Sequence, residues 1–346
     1  MDYIKGIEGD YIETKKANLI FDVKGLLHPF DRKICFLRFY PHPKGDRIRN
    51  GIRYKKVYNF DERYSLLKNN YPEYVFNSKE LDMEIQGVSN NDIKKIYTPR
   101  NCFKELIEKN TLSVTEENSK KLCELFVNEG NIARDSIGIT GSLMVGLNKD
   151  DSDIDIIIYG TERSIKFQEN LKHLIMKSDQ IRMYNQEEYK AHYKWRVGGS
   201  DITFEEFMRS EQRKLHQGKY QGIDFFIRYI KSSSDWKGQF YDYQYKNYGR
   251  IKAEVLITDS KDSIFTPCSY NVETKKILDK NSSLNDVSQQ EINEISSFRA
   301  RFCEQAKKGE TFIVEGKLEK VVFKKDQEYF RILLTDQTKD KMIILN

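Results

Sequence analysis

Apolar and polar positions alternate with a period of two in several stretches of this chain and recur near every third or fourth residue in others. Residues 19–23 and 34–40 are short runs rich in β-branched and aromatic side chains, which predict strands, and His28-Pro29-Phe30-Asp31 between them predicts a turn. Residues 61–69 predict a helix, punctuated by Pro72. A second helix is expected from Thr115, an N-cap residue followed by Glu116 and Glu117. Leu122, Leu125 and Phe126 form its apolar stripe, and Gly130 closes it. Residues 164–176 are amphipathic through Leu171, Leu174 and Ile175, with His173 on the surface. Two further helical runs, 187–194 and 204–216, are interrupted at Gly198-Gly199.

From residue 250 strands dominate: 251–258, 263–270, 311–314, 317–323 and 328–334, with Gly316 expected at a bulge. Tyr241, Tyr243, Tyr245 and Tyr248 alternate with polar residues just before, as in a half-buried strand; a stacking platform for bases is the other reading. Short strands with charged turns predict a small β-barrel.

The middle of the chain carries a denser pattern. Residues 136–140 predict a strand that ends at Gly141-Ser142, where glycine permits a tight turn and close backbone approach. The residues to Gly146 make a short helix, whose first N–H groups and the Ser142 hydroxyl suit a phosphate. A polar turn, 148–152, leads into a second strand. There Asp153, Asp155, Ile157 and Tyr159 share one face, and Ile154, Ile156 and Ile158 fill the other. Two carboxylates so placed are unfavourable unless a cation lies between them. Hard oxygen ligands of this kind suit Mg²⁺ or Mn²⁺. A phosphate cradle running into a paired-Asp strand points to metal-assisted phosphoryl transfer.

In these residues the chain resembles the polymerase-β-like nucleotidyltransferase superfamily, whose pattern is Gly-Ser, a few residues, Gly, a short turn, then Asp-x-Asp within an apolar strand. The resemblance implies a third carboxylate on a later strand, and Asp224 within Gly222-Ile223-Asp224-Phe225-Phe226-Ile227 fits. It implies an α+β fold with a mixed-sheet nucleotidyltransferase core over residues 111–247. A β-rich extension, 1–110, would precede the core, and a small OB-like β-barrel, 248–346, would follow. The extension is similar to ones found beside such cores in archaeal proteins of unassigned role. The implied activity is transfer of an NMP from an NTP to an acceptor hydroxyl, with Asp153, Asp155 and Asp224 as catalytic metal ligands and Gly141 and Ser142 at the triphosphate. The acceptor is left open among an RNA end, a protein side chain and a small molecule. So are a non-catalytic nucleotide- or RNA-binding module on the same fold and an antitoxin-type or protein-modifying transferase. The chain departs from the pattern at Leu143, Met144 and Val145, which are apolar where relatives often carry a basic residue. No side-chain phosphate clamp is therefore expected in this turn.

Charge refines the choice of partners. The 346 residues carry a formal net charge of +5, too small for a global nucleic-acid field. Between Lys44 and Lys56, however, six basic residues stand against the single acid Asp46, a local excess equal to that of the whole chain. Arg47, Arg49 and Arg53 in this loop are the candidate contacts to RNA phosphates, together with the C-terminal barrel; a solvated hairpin with a cationic edge is the plainer reading. Arg209, Arg213 and Lys214 are expected on one side of a helix, most simply solvated, otherwise near a triphosphate. The five cysteines are scattered without a C-x-x-C, and His192 and His216 stand apart from any ligand spacing. Neither a zinc site nor a disulfide framework is expected. Residues 1–5 lack the apolar core of a signal peptide, and no run approaches the ~20 apolar residues of a membrane span. The expected compartment is the cytoplasm, with no membrane partner.

Overall fold

The computed structural model describes residues 4–280 and 291–345; residues 1–3, part of the terminus read for a signal peptide, lie outside it. The protein is mixed α/β with three sheets. Its packing divides it into two compact units. The first runs to Ser78 and adds Met83–Arg182 and His216–Phe240; the second comprises Lys79–Asp82, Met183–Leu215 and the chain from Tyr241. These limits differ from the expected boundaries near residues 110 and 247. The β-rich extension packs with most of the expected core as one unit, because apolar contacts and buried ion pairs join its two sheets.

In the first unit, β1 (Tyr11–Thr14), β2 (Ile20–Val23), β3 (Arg32–Pro41), β4 (Arg47–Arg49), β5 (Ile52–Lys56) and β8 (Ile93–Tyr97) form one antiparallel sheet. Its order is β4-β5-β3-β2-β1-β8, with the hairpin of β6 (Val75–Ser78) and β7 (Met83–Ser89) added on β3. The helix α1 (Phe60–Asn70) starts where the Asn59 side chain accepts the Glu62 N–H, and it places Leu67 among Phe21, Leu37, Val57 and Val88.

Then follow α2 (Pro99–Glu108), α3 (Val114–Asn128), β9 (Ile137–Ile139), the single turn α4 (Gly141–Met144), β10 (Ile154–Tyr159) and α5 (Thr161–Lys177). The cap of α3 is Ser113, in a reciprocal capping box with Glu116, two residues ahead of the expected Thr115. The short β11 (Ile181–Arg182) precedes β12 (Gln217–Tyr220) and β13 (Ile223–Ile230), and the sheet order is β11-β12-β13-β10-β9. Only β10 and β13 run parallel. One face of this pair presents Ile154, Ile156 and Ile158 of β10 with Phe225, Ile227 and Tyr229. Phe126 of α3 and Phe167 of α5 cover it, with ring centroids 6.4 Å from Phe225 and 6.4 Å from Tyr229 respectively. The other face is left to the carboxylates.

In the second unit, α6 (Gln186–Val197) and α7 (Phe204–Glu211) each begin in a capping box. The expected helix to residue 216 stops at Glu211. Neither expected role of the basic cluster holds for Arg213 and Lys214. Arg213 is ion-paired with Glu310, and Lys214 is fully buried on Glu211 and the Arg301 carbonyl. A six-stranded sheet follows: β14 (Tyr243–Asp259), β15 (Cys268–Lys280), β16 (Ile292–Ser297), β17 (Thr311–Phe323), β18 (Gln327–Leu333) and β19 (Lys341–Ile344). It curls until β14 pairs with both β15 and β17, around Ile251, Val255, Phe312 and Ile332. Gly316 is not at a bulge. The irregularity lies opposite, between Asn247 and Arg250, and a Cβ on Gly316 would press into Leu334 and Ile332. All five cysteines are buried and free. Among the described residues no helix is long and apolar enough to cross a membrane.

Candidate functional site

The site is built where β9, α4, β10 and β13 meet. Thr140 ends the first strand with its N–H on the Asp155 carbonyl, at 2.9 Å, and its hydroxyl on the Gly9 carbonyl, at 2.6 Å. Gly141 then turns the chain at φ +74°, and a Cβ there would collide with the Asp155 carboxylate. The turn closes through the Leu147 N–H on the Ser142 carbonyl, at 2.9 Å. Leu143, Met144 and Val145 are buried, so their apolar character is used in packing.

The parallel register sets the carboxylates. Asp155 is level with Phe226, and Ile154 with Phe225, so Asp153, one residue before the strand, is level with Asp224. Asp153, Asp155, Asp224, Phe226 and Arg228 therefore share one sheet face. Asp153 is exposed and Asp155 half-buried. Burial first, then the charge of Asp153, push the Asp155 carboxyl up to about 6, against the pull of Arg228, Lys56 and Arg38. Asp224 makes an ion pair with Lys219 at 2.8 Å and leaves 48% of its side chain exposed. Among the described residues no three His, Cys, Asp or Glu side chains stand close enough together to hold a metal ion.

The far end of this face is closed by the N-terminal segment: Ile7 packs with Ile157, Tyr159 and Ile230. Between the closed and open ends, Arg228 is paired with Glu8 at 2.6 Å, and Lys24 with Glu8 and Asp22 at 3.1 and 2.9 Å. Sequence reasoning missed this layer, because Glu8, Asp22 and Arg38 belong to no motif. The only signal of Asp22 and Arg38 was the placement of charges within otherwise apolar strands, and Glu8, in the turn before β1, had none.

The basic hairpin β4–β5 is docked on the motif turn. Arg47, only 8% exposed, donates to the Leu147 carbonyl. Arg49 donates to the Val145 carbonyl at 3.2 Å and pairs with Glu13 at 2.9 Å. Lys149 pairs with Asp46. Of the three arginines expected at phosphates, only Arg53 is exposed; Arg47 and Arg49 are turned inward and hold the turn.

The chain is 28% identical, over 333 residues, to an uncharacterized protein of the archaeon Methanocaldococcus jannaschii, an alignment covering 94% of each chain. No family model matches the chain. No solved structure matches it.

Proposed function

We propose that the protein is a polymerase-β-like nucleotidyltransferase that moves an NMP from an NTP to an acceptor hydroxyl. The observation that carries this reading is the register of β10 on β13, which sets Asp224 level with Asp153 on the face of Asp155, beside the Gly141-Ser142 turn. The donor set fits a divalent cation: a pair of like-charged carboxylates, one raised in pKa by burial and by its neighbour, is relieved by a hard cation. Asp153 and Asp155 would hold Mg²⁺ or Mn²⁺, with Asp224 as the third carboxylate once released from Lys219. The metal would supply charge neutralisation at the reacting phosphate.

The chain's own residues do the rest. The Gly141-Ser142 turn orients the triphosphate through its N–H groups. The acceptor oxygen forms its bond to the α-phosphorus as the bond to the bridging oxygen breaks, and the electron pair leaves on pyrophosphate. Asp224, with about half of its side chain exposed, receives the acceptor proton and passes it to solvent. The ring of β14, β15, β16, β18 and β17, with its one parallel pair β16–β18, supports an OB-like barrel in the second unit. That barrel and the exposed Arg53 favour RNA as the acceptor.

A second reading, a nucleotide- or RNA-binding module without turnover, is favoured by the Lys219–Asp224 ion pair, which occupies the third carboxylate. Incubation with each α-labelled NTP, with Mg²⁺ or Mn²⁺, and with cellular RNA or the protein alone separates them. Label in RNA or protein supports transfer and assigns the acceptor. A melt shift with NTP and no label in any acceptor supports the binder.

A further inference from the structure

Six cations stand around the carboxylate face, and four of them have partners. Arg47 and Arg49 hold the motif turn, Arg228 is on Glu8, and Lys24 bridges Glu8 and Asp22. Arg38 of β3 belongs to the same layer and is different. Its guanidinium makes no hydrogen bond or ion pair among the described residues and lies 5.7 Å from the centroid of the Tyr58 ring. Lys56, at the end of β5, makes no ion pair either. Its ammonium sits 4.8 Å from the Tyr58 ring centroid and 6.0 Å from that of Phe39. The backbone ties the two together, since Phe39 is level with Lys56 and the Val57 N–H donates to the Arg38 carbonyl at 2.9 Å.

Both side chains are half-buried, and both are close enough to Asp155 to act on its charge without bonding to it. Among the described residues neither cation is bonded to a carboxylate, so an incoming ligand can supply acceptors to both. An oligophosphate does so: it offers oxygens for a bidentate guanidinium and for an ammonium at short range. The motif turn itself offers that anion no cation, because Leu143, Met144 and Val145 are apolar and buried, which leaves only its N–H groups and the Ser142 hydroxyl.

We propose that Arg38 and Lys56, contributed by the eight-stranded sheet, form the oligophosphate-binding pair of this site. They take the β- and γ-phosphates of a nucleoside triphosphate and retain the pyrophosphate as it leaves. The identification of the anion as a substrate's triphosphate rests on the nucleotidyltransferase reading; the anion site itself does not.

The test is calorimetric titration of the full chain with inorganic tripolyphosphate and with pyrophosphate, with and without Mg²⁺. Wild type should bind both. Arg38→Gln and Lys56→Gln should each weaken binding roughly tenfold or more, Arg38→Lys should weaken it by less, and Lys172→Gln, exposed on α5, should hold within about threefold. Far-UV circular dichroism and melts establish that each variant is folded. If Arg38→Gln fails to fold, Lys56→Gln still decides the matter. A folded Lys56→Gln, or a folded double variant, that binds as wild type does overturns the proposal: the two cations would then serve only to balance Asp22 and Asp155. Absence of binding by wild type also overturns it. Oligophosphate binding that depends on Arg38 and Lys56, in a protein that labels no acceptor, sustains the anion site and defeats the transferase reading. NMP transfer that survives both substitutions does the reverse.

Discussion

Gly141 and Asp155 are fitted to one another: the missing side chain of the first leaves the space that the carboxylate of the second occupies. The glycine also sits at φ +74°, where other residues are strained. Gly141→Ala should therefore act twice, through backbone strain and through displacement of Asp155. A loss of about 1–3 kcal/mol in urea unfolding is expected, with NMP transfer reduced to background. Gly51→Ala, also at positive φ but with nothing within 4 Å of its Cβ, should cost stability without affecting transfer. Equal activity in the two variants would show that the Gly141–Asp155 fit has no role in the site.

Arg47 defines the docking of the basic hairpin. It reaches the Leu147 carbonyl from a buried position, so Arg47→Ala leaves that acceptor unpaired and should destabilise the protein by about 1–3 kcal/mol. Arg53, exposed at the same hairpin, should behave oppositely. Arg53→Ala should leave the melt unchanged and lower the salt dependence of RNA binding by about one phosphate contact. Filter binding over a range of salt, alongside melts, checks both. An unchanged salt slope in Arg53→Ala removes that residue from the RNA surface.

The motif region was legible in the sequence, since a period of two over residues 153–159 and a glycine at 141 are local signals. The pairing ring around β14 was legible only in part: residues 311–314 and 317–323, expected as two strands, are the single strand β17, and β16 and β19 were not expected. The layer of Glu8, Asp22, Lys24, Arg38 and Arg228 was not, because residues more than 200 positions apart, Glu8 and Arg228 among them, meet only in the fold. Nor was the burial of Lys214. A lysine three residues after Glu211 reads as a solvated helix face until the strands of the second unit close over it. The two compact units differ from the expected division for a related reason: pattern marks elements, while packing decides which elements form a unit.

Glu211, Lys214 and His192 make a buried charge network in the second unit, with contacts of 2.7 Å to Lys214 and 3.0 Å to His192. Burial opposes ionisation of Glu211, but the Lys214 charge and then the His192 hydrogen bond hold its carboxyl far below the usual range. A depressed carboxyl contributes stability above its ordinary value of 4.5 and loses it as pH falls below that. Glu211→Gln leaves Lys214 charged and unpaired and should cost about 3–5 kcal/mol, whereas Glu211→Gln with Lys214→Met should recover most of the loss. Guanidinium unfolding at neutral pH measures both. A double variant as unstable as the single one would show that the pair is not the source of the effect.

Asp10 gives the opposite sign. It is buried, and burial pushes its carboxyl up to about 7 in spite of the N–H groups of Gly6 and Ile7 that bond it. A raised carboxyl contributes most below its ordinary value of 3.8, and that contribution is lost as pH rises through about 7. Asp10→Asn keeps an oxygen for both N–H groups and removes the ionisation. Relative to wild type, the variant should gain stability as pH rises from about 4 to about 7 and then hold level to pH 8. Urea midpoints across that range check the sign, and parallel curves would show that Asp10 does not titrate there.

Asp153→Ala separates enzyme from binder most sharply. The substitution removes one of two like charges from the sheet face and touches no strand hydrogen bond, because Asp153 precedes β10 and is exposed. Without divalent cation the melt should stay level or rise, since the charge that helps push Asp155 up to about 6 is gone. Transfer should fall by orders of magnitude, because stabilisation of the reacting phosphate is worth several kcal/mol and each ~1.4 kcal/mol is tenfold in rate. Asp155→Ala should lose activity alike. Ser142→Ala should be milder, since it removes one hydroxyl from a cradle made largely of backbone N–H groups. The expected order is wild type, then Ser142→Ala, then either aspartate variant near background, read as NMP incorporation beside melts with and without Mg²⁺ and NTP. Incorporation that persists in Asp153→Ala would sink the carboxylate mechanism, and a protein that shifts its melt with NTP yet labels nothing in any variant would be a binder.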